Sequence, residues 1–170
     1  MDMDIEDEIR KGFEEERRQQ EREQQQAAEQ ARQAEERAAR AARLRPYLEQ
    51  YHEEAARGKY GPDEIECTKA RIFRSGNKVI YRRARLISRH SGGADNIGQP
   101  VVYSLWLDDM TFDLWWQQTG FPARRIRLGE NNPDLSPDEN RILEEAEKDL
   151  GRNLGKRAAR NGLKRFNVGA

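Results

Sequence analysis

The chain has one cysteine and two histidines among 170 residues, and from Glu14 to Arg43 it holds no apolar residue larger than alanine. A single cysteine excludes a disulfide framework. Cys67, His52 and His90 are too few and too scattered for a structural zinc site, and no CxxC or HExxH occurs. There is also no GxSxG and no glycine-rich phosphate loop opening a helix. No apolar run approaches the roughly 18 residues of a membrane span, and the acidic opening Met-Asp-Met-Asp-Ile-Glu-Asp-Glu is unlike a signal peptide. These absences lead us to expect a soluble cytoplasmic protein, or one inside an intracellularly assembled particle, with no membrane partner, no metal and no cofactor.

Charge is present in excess. Charged residues make up 36% of the chain, against roughly 25% in ordinary globular proteins, and the 31 basic and 31 acidic side chains cancel. The cancellation is regional: residues 1–60 carry a net −4 and residues 61–170 a net +4. The first stretch is built from Glu, Gln, Arg and Ala, all strong helix formers. With acids four residues ahead of bases (Glu6/Arg10, Asp7/Lys11, Glu14/Arg18, Glu36/Arg40), it predicts a helix from Asp4 to Ala56. Steps of four and three mark a seam through Phe13, Ala27, Ala31, Ala34, Ala38, Ala41 and Leu48. A methyl group buries little compared with Leu, so this seam predicts either a spacer or a weak oligomerisation arm. The larger stripe Leu44, Tyr47, Leu48, Tyr51 and Ala55 is expected to pack on the following domain, with Gly58, Gly61 and Pro62 ending the helix.

The period then switches to two. Ile65 to Ile87 predicts a hairpin about Ser75-Gly76-Asn77, with Ile72 opposite Ile80 and Arg74 opposite Lys78. That register puts Lys69, Arg71, Tyr81, Arg83 and Arg85 on one face. A polar loop over 91–96, a strand Val101–Leu107, a short helix from Asp108 or Asp109 to Thr119 and a strand Arg124–Leu128 complete the domain. Ser136-Pro137-Asp138-Glu139 predicts a capped helix from Pro137 to Leu150, and residues 151–170 read as a basic tail broken by Gly155 and Gly162. The class is α+β, divided as an arm over 1–57, a small antiparallel sheet domain over 58–150 and the tail.

For function, no nucleophile stands beside a base in any recognisable motif, and helix capping accounts for Asp108, Asp109 and Asp113 without a metal. An enzyme is not expected. Residues 69–89 hold eight Lys/Arg and no acid, a density able to follow a phosphate backbone. The candidate docking residues are Lys69, Arg71, Lys78, Tyr81, Arg83, Arg85 and Arg89. Arg124, Arg125 and Arg127, with Lys156, Arg157 and Arg160 of the tail, extend the set. Adjacent Trp115 and Trp116 cannot face one way, so Trp116 is expected to be partly exposed as a partner hot spot. The expectation is a non-enzymatic binding or assembly protein. Nucleic acid is its first candidate partner and an acidic protein surface its second. The alternative is a protein-only structural or inhibitory subunit of a larger assembly, for instance a viral particle. The N-terminal helix offers a route to a homo-oligomer.

Overall fold

The computed structural model describes residues 2–70 and 77–163. Helix α1 (Asp2–Arg57) is followed by strands β1 (Asp63–Ala70), β2 (Asn77–Ala94), β3 (Pro100–Asp108), β4 (Leu114–Gln118) and β5 (Ala123–Ile126), then helix α2 (Pro137–Arg160). The class is α+β, as expected. The strands form an antiparallel meander that closes into a barrel where β5 pairs with β1 in parallel.

Two apolar clusters fill the domain. One is made of strand residues alone, Ile65, Cys67, Ala84, Trp106, Trp115 and Ala123, and occupies the barrel interior. The other lies between the barrel wall and the helices, where Tyr103, Leu105, Leu107 and Trp116 meet Leu48 and Tyr51 of α1 and Leu143, Leu150 and Leu154 of α2. Both faces of β3 and β4 are therefore dry. That explains the adjacent tryptophans: they do point opposite ways, but each finds a core. Trp116 is fully buried and stacks on Tyr103 at 5.2 Å, so it is no exposed hot spot. The helix expected over 108–119 is likewise replaced by a turn and β4. Asp108 does cap N–H groups, those of Met110 and Thr111, but in a turn rather than a helix.

Two further departures share a cause in packing. β2 runs on through the expected loop at 91–96, reaching Ala94 with register shifts between Leu86 and Ser88 and between Ser91 and Ala94. α2 continues past Leu150 through Gly151 and Gly155 to Arg160, because Leu154 and Ala158 are buried in the helix-side core. Residues 151–160 of the expected basic tail are thus helix, and 164–170 lie outside the described residues. Gly151 lies close to Leu44 of α1, where a Cβ would make an ordinary contact at 3.5 Å. Pro46 inside α1 leaves the Ala42 carbonyl without its helical donor, a penalty of about 3 kcal/mol. Leu44, Tyr47, Leu48 and Tyr51 pack on the barrel around it and hold the helix continuous.

α1 has 56 residues, roughly 84 Å of helix. Every described side chain from Asp4 to Glu36 is exposed, and Arg37 is the first to be buried. The alanine seam is accordingly split. Phe13, Ala27, Ala31 and Ala34 touch nothing among the described residues, whereas Ala38 and Ala41 approach Gly129 and Leu48 is core. Gly129 has φ +82, and a Cβ on it would lie 2.7 Å from the Ala41 Cβ and 3.1 Å from the Ala38 Cα. Gly129→Ala is therefore expected to cost about 2–3 kcal/mol in urea unfolding, from left-handed strain and overpacking together. An unchanged midpoint would mean that α1 is not seated there.

Candidate functional site

The register of the β1–β2 hairpin decides which basic residues share a surface. Ile80 lies opposite Cys67 rather than Ile72, and Lys78 opposite Lys69 rather than Arg74, an odd offset of five residues. Because side chains alternate, an odd slip exchanges the faces of one strand relative to the other. Lys69 and Lys78 thus share the side of Cys67, Ile80 and Arg82. Tyr81 and Arg83 are on the opposite side, paired with Glu66 and Glu64. The all-basic face expected of this hairpin is therefore absent from its described part; one side interleaves acids with bases. Arg71 and the Ser75-Gly76 turn lie outside the described residues.

Arg85 is the other correction. It is buried, donates to the Tyr60 carbonyl at 3.1 Å and is ion-paired with Asp109, so it ties the link between α1 and β1 to the barrel and is already engaged. Arg89, Lys156 and Arg160 are exposed, Arg89 on β2 and the other two on α2. Arg157 is half-buried.

Four of the named bases and one more do converge. At one mouth of the barrel, Lys69, Arg82, Arg124, Arg125 and Arg127 line an open groove of about 840 Å³ with Asp113, Glu130 and Asp134, over a floor that includes Ile80, Trp115 and Ile126. Arg82 and Arg124 are already engaged. Arg82 grips Asp108 through Nε at 2.8 Å and Nη2 at 3.1 Å. Arg124 pairs with Glu139 and donates to the Asp134 carbonyl at 2.8 Å. Arg127 is 3.9 Å from Glu130. Lys69 and Arg125 have no ion-pair partner among the described residues, and Lys78 stands beside them on the hairpin.

Asp108 anchors this mouth. It is fully buried at the end of β3 and accepts from Arg82, from Trp115 Nε1 at 3.0 Å and from the N–H groups of Met110 and Thr111. Burial alone would raise its pKa, but these donors outweigh burial and hold the carboxyl far below the usual range. The opposite wall, residues 127–135, is shaped by Asn132. Its amide takes the Arg127 N–H at 2.8 Å and donates to the Arg127 and Glu130 carbonyls, and Asn140 of α2 accepts the Asn132 N–H at 2.8 Å.

No protein-family model, curated protein or solved structure matches this chain.

The side chains with catalytic chemistry are engaged or enclosed. Cys67 is buried in the barrel and burial pushes its thiol up to about 12, leaving no thiolate near neutrality. His52 is half-buried on α1 with its ring edge against Phe112. A pair invisible to motif reading is Ser88 Oγ and His90 Nε2, 2.8 Å apart. Ser88 is buried, His90 stacks on Trp116, and no carboxylate hydrogen-bonds the second ring nitrogen among the described residues. Burial holds the His90 pKa below its ordinary value, against a smaller opposing pull from Asp149. Asp109 and Asp113 are committed to Arg85 and to the Thr111 hydroxyl, and among the described residues no three His, Cys, Asp or Glu side chains converge as metal ligands.

Sequence reasoning misses Arg37, Glu147 and Asn132, and counts Arg82 only as one of the eight bases of residues 69–89. Arg37 and Glu147 form a bidentate pair with Nε–Oε2 at 2.7 Å and Nη2–Oε1 at 3.0 Å, both side chains almost wholly enclosed. Arg37 also donates to Asn131, and the Gly129 N–H to Glu147. This latch is the last contact of α1 with the domain before the arm leaves it. Glu147 holds the Arg37 guanidinium above its usual pKa despite burial.

Proposed function

We propose that the chain is a non-enzymatic docking and assembly protein. The barrel mouth receives a polypeptide segment carrying acidic and apolar side chains, and α1 is the arm that extends from it. One observation carries this reading: the mouth sets unpaired Lys69 and Arg125 beside acids and above an apolar floor. A phosphate backbone favours a continuous basic track. A polypeptide of mixed character suits a surface where charge and apolar area alternate. No helix among the described residues is long and apolar enough to cross a membrane.

The second reading is nucleic acid, favoured by Lys69 facing Lys78 across the hairpin and by Tyr81, 62% exposed, as a stacking surface on the other side. Fluorescence anisotropy with labelled poly-glutamate and a labelled single-stranded oligonucleotide separates the two. The docking reading expects poly-glutamate to bind at low salt, to weaken as salt is raised, and to lose at least tenfold in affinity when Lys69 and Arg125 become Ala. Tighter oligonucleotide binding, lost on Tyr81→Ala and Lys78→Ala, would replace this reading with the second one. No binding of either would sink both.

A further inference from the structure

We infer that the segment received by the mouth is the N-terminal tip of α1 from a second copy of this chain, joining chains head to tail. This rests on the docking reading above and names its partner. Ile5, Ile9 and Phe13 are 60%, 68% and 72% exposed. Spaced by four, they form one apolar stripe on a helix face, and the helix between this stripe and Arg37 touches nothing among the described residues. Pairs at this spacing add only about 0.2–0.5 kcal/mol each to the arm's own helix, and the stripe leaves its apolar area in water.

The charges around the stripe fit the mouth. The first ten residues hold five acids and one base, while Lys69 and Arg125 stand unpaired over Ile80 and Trp115 in the groove. Charge complementarity with apolar area on both sides, in the groove chiefly the half-buried Ile80, suits a specific contact. The contact forms between chains. The stripe lies roughly 36–48 Å along a continuous helix from Arg37, so a straight arm carries its tip away from its own barrel. Two different patches meeting on successive copies make a heterologous contact, which propagates as an open chain or closes as a ring.

Light scattering on the full-length chain tests this with two surface variants. One blocks the arm, Ile9→Glu with Phe13→Glu; the other blocks the mouth, Lys69→Glu with Arg125→Glu. All four side chains are exposed. The wild-type mass is expected to rise above 19.8 kDa with concentration across the micromolar to millimolar range and to fall back as salt is added. Each variant alone should stay at 19.8 kDa. An equimolar mixture should reach twice that mass and no more, because one intact arm meets one intact mouth and the other ends are blocked. A wild type that remains monomeric throughout, a mixture that does not pair, or a mouth-blocked variant that associates like wild type would each overturn the inference. If the wild type stays monomeric yet poly-glutamate still binds in a Lys69- and Arg125-dependent way, the second copy is wrong and the docking reading stands. If poly-glutamate also fails, both fall.

Discussion

Asp108→Asn is expected to destabilise the protein by about 3–5 kcal/mol, because it removes the charge of a buried pair and disturbs a set of donors already in place. The substitution is nearly isosteric, yet its NH₂ must face either Arg82 Nε and Trp115 Nε1 or Arg82 Nη2 and the Met110 and Thr111 N–H groups, all of them donors, and Arg82 is left half-buried without its counter-charge. The mouth should loosen with the fold, since Arg82, Trp115 and the 109–112 turn are all held by this one carboxylate. Urea unfolding gives the size of the loss, and a midpoint within error of wild type would contradict this picture of the site. The same carboxylate sets an acid limit. Its folded pKa lies below the ordinary value of about 3.9, so its contribution is fully present above that pH and is lost as pH falls below it. Asp108→Asn should therefore flatten the acid limb of a stability–pH curve.

Glu147→Ala carries the second large effect. It strands the Arg37 guanidinium, whose side chain is only 7% exposed, and leaves the Gly129 N–H without its acceptor. The expected loss is again about 3–5 kcal/mol, concentrated where α1 meets α2. Replacing both partners by apolar groups of similar volume, Arg37→Met with Glu147→Leu, should recover most of it, since a buried pair stabilises little relative to a packed apolar pair even though breaking it is costly. Hydrogen exchange places the effect: Glu147→Ala should speed exchange in α1 from about Arg37 to Leu48 while β3 and β4 stay protected. Equal losses for the single and double variants would show that the pair itself, rather than the stranded charge, sets the stability.

Much of the fold is legible in the residues because its signals are local. The helix-forming composition of 4–56, the Leu44–Ala55 stripe and the Ser136 capping box each act within one or two turns, and Ser136 does accept the Glu139 N–H. Register is different. A pairing parity depends on the length and path of a connection, and one odd slip was enough to separate Tyr81 and Arg83 from Lys69. Burial of both tryptophans could not be read from β4 alone, because the second core is supplied by helices distant in sequence. For the same reason Gly151 and Gly155 looked like breaks, although Leu154 and Ala158 beyond them have a surface to pack on. Arg37–Glu147 was hidden because its partners are 110 residues apart and each is unremarkable in a charge-rich helix. Lys69, Arg124, Arg125 and Arg127 stand out as bases in the sequence, but their convergence on one mouth follows from barrel closure by β1 and β5. In the sequence those four lie in two separate runs.

The claim that the barrel mouth is the docking surface is tested most directly by amide chemical-shift mapping on the full-length chain during titration with poly-glutamate at low salt. The docking reading predicts shifts concentrated at Lys69, Arg82, Arg125 and Arg127 and at the Trp115 indole N–H, which reports on the groove through Asp108. Shifts confined to Tyr81 and Arg83, or to Lys156 and Arg160 on α2, with the mouth unmoved, would contradict it.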